Sequence, residues 1–292
     1  MYIKIHPKMQ LQNRRHLPSC LALALACSLV SSCARTGTQA PATKPAATGP
    51  SAATAKSKSA SLLRVALYRG PGTGGAGPTN LMARLNQNPT MSLTQVTPQQ
   101  IQDGVLTNYD AVIFAGGTSS GEARGLGDAG KAAVKQFVAN GGGYVGICAG
   151  AYLASTSDSW DLRLINAKTV SKKWQRGRAT VKMEQTAGGN KILGARGGSF
   201  DVLYHNGPIV EPAGDADLPP YETLAWFRSE VSLFGSTPGI MSNSPAVFAS
   251  QFKQGRVLCI SPHPEQTAGL DEIVPRAVEW VADPAARNAG QR

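Results

Sequence analysis

Two short stretches carry most of the chemistry legible in this chain. In Gly146-Ile147-Cys148-Ala149-Gly150, a cysteine stands between two glycines, each two positions away. An apolar, β-prone run leads in and a helical run leads out. A turn that sharp leaves little room for Cβ atoms, so glycines flank it and the central side chain is thrust outward. A thiol held there is a candidate nucleophile. Backbone N–H groups at the start of the following helix favour its thiolate and draw the pKa below the usual value of about 8.5. The N–H of Ala149 is positioned to bind the oxyanion of a tetrahedral intermediate, and Gly116-Gly117 after a neighbouring strand is the source of a second donor. The thiolate also needs a base that later protonates the leaving group. His263 lies in Ser261-Pro262-His263-Pro264-Glu265, after another buried run, and Glu265 two residues on is placed to orient its imidazole. Two other readings of Cys148 stay open. It is an inert relic of such a site, or it pairs with Cys259 in a disulfide. Cys259 itself reads as core packing within its strand, and His205 as a structural residue or a pocket wall.

The elements that must position these residues follow from hydrophobic patterning. The runs at 62–68, 91–96, 109–117 and 143–147 read as strands. Thr79-Asn80 reads as the cap of a helix ending at Leu85, and Thr97-Pro98 opens a short helix carrying Ile101 and Val105. Asp128 is expected to start the next helix, with Ala132, Val134, Phe137 and Val138 as its apolar stripe and Gly141 as its stop. Alternation of strand and helix argues for a parallel sheet covered on both faces. Residues 163 to about 205 break this rhythm with short strands and turns, and predict an antiparallel extension. Further strands are expected at 222–227, 246–252 and 256–261, the last two joined by a turn at Lys253-Gln254-Gly255. A closing helix is expected over 268–282.

The chain has 292 residues and a formal net charge of +11. Lys4, Lys8, Arg14 and Arg15 precede the apolar stretch Leu17 to Val30, which is too short to span a bilayer. This is a signal-peptide pattern over residues 1–32. Val30-Ser31-Ser32-Cys33 resembles a lipobox, which would make Cys33 a lipidated N-terminus. Ala34 after it points to the outer membrane, with the protein facing the periplasm. Residues 33–60, rich in Ala, Pro, Thr and Ser, read as a flexible tether. Eight of the 29 Lys and Arg lie before residue 61 with no acid among them; the other 21 face all 18 acidic residues, a balance of only +3. The excess positive charge therefore suits anionic lipid near an anchor rather than nucleic acid. One local cluster, Lys168, Lys172, Lys173, Arg176, Arg178 and Lys182, reads as a solvated face of two strands, with an acidic-ligand surface as the alternative. Gly70-Pro71-Gly72-Thr73-Gly74-Gly75 spells a dinucleotide fingerprint. The first acid after it is Asp103, too distant for a ribose contact, so the loop reads as a site rim. No phosphate-loop motif for ATP and no metal-ligand spacing is evident, and no cofactor or metal is expected.

The stretches at Gly141 to Tyr152 and Ser261 to Glu265 resemble the class I glutamine amidotransferase-like superfamily, with Cys148, His263 and Glu265 at the triad positions. "GPGTGG" after the first strand, "IFAGG", "CAGAYLAS" and "YHNGPIV" (204–210) narrow the resemblance to the biotin-protein ligase N-terminal-like branch, over roughly residues 62–282. The resemblance implies a flavodoxin-like open sheet for the domain at 61–285, followed by a short tail at 286–292. It also implies Gly72, Tyr204 and Asn206 as pocket residues. The resulting expectation is an anchored envelope hydrolase or amidase acting on a small-molecule or peptide-like substrate. The alternatives are a binding lipoprotein using the same cleft without turnover, and a glutaminase subunit serving a partner synthase.

Overall fold

Strand β1 (Leu63–Tyr68) ends in four fully buried residues, Val65 to Tyr68. Burial on both faces is the mark of a central parallel strand. A computed structural model describes residues 62–283 of the chain. The signal segment, Cys33, the tether and the tail from 286 lie outside the described residues. Strands β2 (Met91–Val96), β3 (Ala111–Phe114), β4 (Gly143–Ile147), β5 (Ala167–Thr169), β6 (Arg178–Gln185), β7 (Ser199–His205), β8 (Val210–Pro212), β9 (Glu222–Phe227), β10 (Pro245–Phe252) and β11 (Gly255–Ile260) follow. One sheet of nine strands runs in the order β2-β1-β3-β4-β11-β10-β9-β6-β7, and β5 pairs separately with β8. The pairings from β2 through β11 are parallel, and those from β11 to β7 are antiparallel. This is a flavodoxin-like α/β fold with an antiparallel extension on one side.

Helices cover both faces. On one face α1 (Gly77–Leu85), α5 (Ala187–Leu193) and α6 (Ile273–Ala282) bury Leu81, Leu85, Leu193, Ile273 and Val278 against the sheet. On the other, α2 (Pro98–Gln102), α3 (Ser119–Ala139) and α4 (Ala149–Ala154) bury Ile101, Leu126, Val134 and Leu153. Each such aliphatic side chain withdrawn from water stabilises the fold by roughly 1.5–3 kcal/mol. Thr97 caps α2 in a reciprocal box with Gln100, as its Thr-Pro opening predicts.

The structure departs from the sequence reading in four elements. Helix α1 starts at Gly77, so Thr79-Asn80 lies inside it, and Pro78 in its first turn marks the start instead. Helix α3 starts nine residues before Asp128: Gly127, at φ 59° and ψ −177°, divides it, so the expected helix from Asp128 is its second segment and the first, from Ser119, is an addition. The extension contains a helix, α5, capped by Thr186, whose hydroxyl accepts from Gly189 N at 3.0 Å. The closing helix begins at Ile273, although Leu270 ahead of it is buried too.

The chain moves outward from β1 to β2, then returns to β3 on the other side of β1. In open α/β sheets such a reversal opens a crevice at the carboxyl ends of the strands. The loops after β1, β3, β4 and β11 all emerge at that edge, and they carry the glycine loop, Gly116-Gly117, Cys148 and His263.

Candidate active site

Cys148 sits between β4 and α4 at φ 52° and ψ −101°. A non-glycine residue held in that region stores strain of about 1–3 kcal/mol, which the surroundings must over-determine. They do so through close packing. A Cβ on Gly146 would fall 2.4 Å from Gly150 O, and one on Gly150 would fall 2.2 Å from Phe114 O. Tyr144 Oη donates to Gly150 O at 2.8 Å from below, and Cys148 N donates to Ile260 O at 2.8 Å. The turn is thus fastened to both neighbouring strands. The thiol is buried, and Sγ lies 3.4 Å from His205 O, to which a protonated thiol donates.

His263 follows β11 and is also buried. Its Nδ1 is 2.7 Å from Glu265 Oε1, which fixes Nδ1 as the protonated nitrogen and leaves Nε2 as the basic one, with Cys148 as a neighbour of the ring. Burial pulls the imidazole pKa down. Hydrogen bonds to Cys148 and Glu265, with the negative charge of each, outweigh it and raise the pKa to about 10. Gln266 Nε2 donates to the same Glu265 oxygen at 3.1 Å, while Glu265 Oε2 has no partner among the described residues. The stretch is braced from two sides. Arg84 of α1 donates to Pro264 O at 3.1 Å and Thr267 O at 3.4 Å, and His263 N donates to Leu203 O of β7 at 2.7 Å.

Gly116 packs against both side chains: a Cβ there would sit 3.0 Å from His263 Cε1 and 4.0 Å from Cys148 Cβ. The glycine loop is stapled over this corner, with Gly74 N donating to Gly116 O at 3.0 Å and Thr118 N to Gly72 O at 2.8 Å. Gly117, at φ 149°, admits no side chain, because a Cβ would meet Gly72 O at 1.9 Å. No backbone hydrogen bond among the described residues uses the N–H of Gly117 or Ala149. Helix α4 has only six residues, so its influence on the sulfur comes from these local N–H groups more than from a summed dipole.

The other expected pocket residues have structural duties. Gly72 (φ 88°) lets the loop approach Glu122 N, which a Cβ would meet at 2.1 Å. Tyr204 is fully buried, with Oη donating to Gly207 O at 2.8 Å and its ring edge-on to Phe227. Asn206, at φ 55°, uses Oδ1 to accept from Arg176 N and Gly177 N at 2.8 and 2.7 Å. Both brace the loop that meets Cys148, Tyr204 from within the core and Asn206 through Arg176 and Gly177. Cys148 and Cys259 are both free thiols packed into cores on opposite faces of the sheet. Burial holds the Cys259 thiol well above its ordinary range.

Sequence reasoning missed two neighbours. Glu122, in the first turn of α3, is fully buried, and neither carboxylate oxygen has a partner among the described residues. Burial first, then the charge of Cys148, holds its carboxyl well above the usual carboxylate range. Gln266 is the other. The only signal for Glu122 was its place among small residues in Ser119 to Gly125, and that became meaningful once the segment proved helical.

Residues 63–172 match the family model described as biotin-protein ligase, N terminal. The matched stretch contains Cys148 and Gly116-Gly117, whereas His263 and Glu265 lie beyond it. No curated protein matches the chain. Among solved structures, the chain is similar to that titled PurLQS from Thermotoga maritima, at 14% identity and a TM-score of 0.53, covering 79% of this chain and 100% of that one. A putative ThuA-like protein from Bacteroides uniformis aligns at 18% identity and a TM-score of 0.52, covering 80% and 95%. A cytoplasmic protein from Salmonella typhimurium aligns at 13% identity and a TM-score of 0.51, covering 75% and 99%. At these identities the likeness is one of fold. Residues 63–172 are therefore similar to the biotin-protein ligase N-terminal family, and the described residues have a flavodoxin-like α/β fold.

Proposed function

We propose that the chain is a cysteine-dependent hydrolase of amide or peptide-like carbonyl groups, with Cys148 as nucleophile. The observation that carries this reading is one grouping of three side chains. A thiol on a strained turn neighbours a buried imidazole, whose Nδ1 is 2.7 Å from a buried carboxylate. In the proposed cycle the sulfur of the Cys148 thiolate attacks the carbonyl carbon, and the carbonyl π electrons move to oxygen. Ala149 N–H and Gly117 N–H, with Gly116 shaping the corner, receive that oxyanion. The oxyanion collapses, the C–N bond breaks, and protonated His263 delivers its proton to the departing nitrogen. A thioester on Cys148 remains. His263, now neutral, takes a proton from water as its oxygen attacks the thioester, and the acid leaves with the thiolate restored. Glu265 keeps the imidazole in the required tautomer throughout.

The same proposal has the domain working at a membrane surface, held by an acylated Cys33. A Cys33→Ser chain found in the soluble fraction supports the anchor, and one still recovered with membranes contradicts it. The activity is tested on a panel of primary amides, N-acyl amino acid amides and short peptides. Turnover that falls at least about 10³-fold in Cys148→Ala, with the melting transition retained, is the expected result. Turnover surviving in that variant removes Cys148 from the reaction.

A further inference from the structure

The basic cluster at 168–182 divides in the folded chain. Its two ends are paired at the surface, Lys168 with Glu211 at 3.5 Å and Lys182 with Asp201 at 2.9 Å. Arg176 is buried, with Glu230 3.8 Å away. Lys172, Lys173 and Arg178 are exposed, and none of them has an ion-pair partner among the described residues. The loop at 231–236 lies against this segment. Leu233 N donates to Arg176 O at 2.9 Å, and Leu233 Cδ1 is 2.9 Å from where a Cβ on Gly177 would stand. Six large apolar side chains are exposed among the described residues, and four of them, Val170, Trp174, Leu233 and Phe234, belong to these two segments. Phe234 is 66% exposed and Trp174 51%. Single exposed apolar residues are ordinary, but four gathered beside three unpaired cations mark a contact surface.

Charge and chemistry together choose the occupant. Residues 170–178 and 231–240 contain four Lys and Arg and no acid. A second copy of this chain fits poorly, since a two-fold contact would set the same cations against each other with no carboxylate between them. An extended polyanion would satisfy the cations but leave Val170, Leu233 and Phe234 in water. An anionic bilayer satisfies both groups. Apolar side chains enter the headgroup boundary, a tryptophan settles at its level, and the basic heads reach lipid phosphate. We infer that the face built from residues 170–178 and 231–236 docks on an anionic lipid surface. The contact requires neither an acylated Cys33 nor a reaction at Cys148. Its place beside the candidate site gives it a consequence. Arg178 stands opposite His205 in the register of β6 and β7, and His205 O is 3.4 Å from Cys148 Sγ. Asn206 Oδ1 accepts from Arg176 N and Gly177 N, which ties the docking segment to the loop that meets the candidate nucleophile. Docking therefore sets that loop close to the headgroup layer.

The test adds the full chain to vesicles of phosphatidylethanolamine and phosphatidylglycerol whose acyl chains carry bromine, a short-range quencher of indole emission. Trp160, Trp226 and Trp280 supply a background, which Trp174→Phe measures directly. The native chain should be quenched at least about twice as strongly as Trp174→Phe. The excess should shrink as salt rises from about 0.05 to 0.5 M, and brominated phosphatidylcholine vesicles should give the background alone. Each cation brought to an anionic surface strengthens association about fivefold, so Lys172→Gln with Lys173→Gln should raise the lipid needed for half of the excess at least about tenfold. Phe234→Asn should reduce the excess as well, since asparagine tolerates the φ of 54° there and removes the ring. The signal is read at Trp174, so vesicle binding through residues before 61 does not imitate it. An excess of zero, an excess unchanged in the double lysine variant, or equal quenching by phosphatidylcholine overturns the docking face. Retention of the chain on polyglutamate beads with Trp174 unquenched by vesicles overturns it too, and assigns the face to a polyanion.

Discussion

Cys148 and Glu122 set the energetic terms at the residue scale. A thiolate beside an ionised, unpartnered carboxylate would be doubly unfavourable, and burial resolves the conflict by keeping Glu122 protonated. That has a consequence for stability with a definite sign. A carboxyl whose pKa is raised on folding keeps its proton in the native state while the unfolded chain has lost it. Its contribution is therefore fully present below the unfolded value of about 4.3 and declines as pH rises above it. Glu122→Gln, which cannot ionise, should flatten this decline. As pH rises above that value the melting temperature of the native chain should fall relative to the variant, by at most about 3–5 °C per pH unit, as thermal unfolding monitored by circular dichroism would read. Parallel curves for the two chains would mean that Glu122 is charged or solvated when folded. Of these two residues, Cys148 was legible because glycine spacing around a strand-to-helix turn has one steric explanation. Glu122 was not, because a lone acid in a segment rich in Gly and Ser looks like a solvated loop until the helix places it.

Among the elements, the segment His263 to Thr267 is held from outside as well as from within. It contains a single turn of 3-10 helix, Pro264–Gln266. Its shape is fixed by the guanidinium of Arg84 from α1 and by the backbone of β7. Arg84 also pairs with Asp271 at 3.0 Å, so one side chain joins the segment to the approach of α6. Arg84→Ala should leave the fold intact and cost about 1–2 kcal/mol of stability, read in denaturant unfolding. It should also slow alkylation of Cys148 severalfold by loosening His263, although Arg84 touches neither residue. Reactivity that matches the native chain would show that the segment holds its shape unaided. Strands β1 to β4 and β9 to β11, rich in apolar and β-prone residues, were readable within a few residues. Helix α5 and the first half of α3 were not, since Gly121, Gly125, Gly188 and Gly189 weaken any helical signal and the packing that overrides it is long-range. Arg176 failed for a related reason: within a run of lysines and arginines nothing marks the one that the sheet extension buries.

Across the whole molecule, topology does the assembling. Residues from the loops after β1, β3, β4 and β11 meet because those strands are adjacent and parallel in one sheet, although Gly72 and Glu265 are far apart along the chain. The order of strands and the crossovers between them were therefore enough to predict where a site would form. They did not predict what the antiparallel side adds, namely the 205–207 loop and the buried side chain of Arg176. The account's central claim is that this assembly makes Cys148 a nucleophile served by His263. Its most direct test is the rate of iodoacetamide labelling of the full chain from pH 5 to 9, resolved by peptide mass spectrometry, with Cys259 as the internal buried thiol and free glutathione as the solution reference. At pH 6, Cys148 should label at least about tenfold faster than glutathione, and His263→Ala should erase the difference. Labelling of Cys148 no faster than glutathione, or indifferent to His263→Ala, would contradict the account.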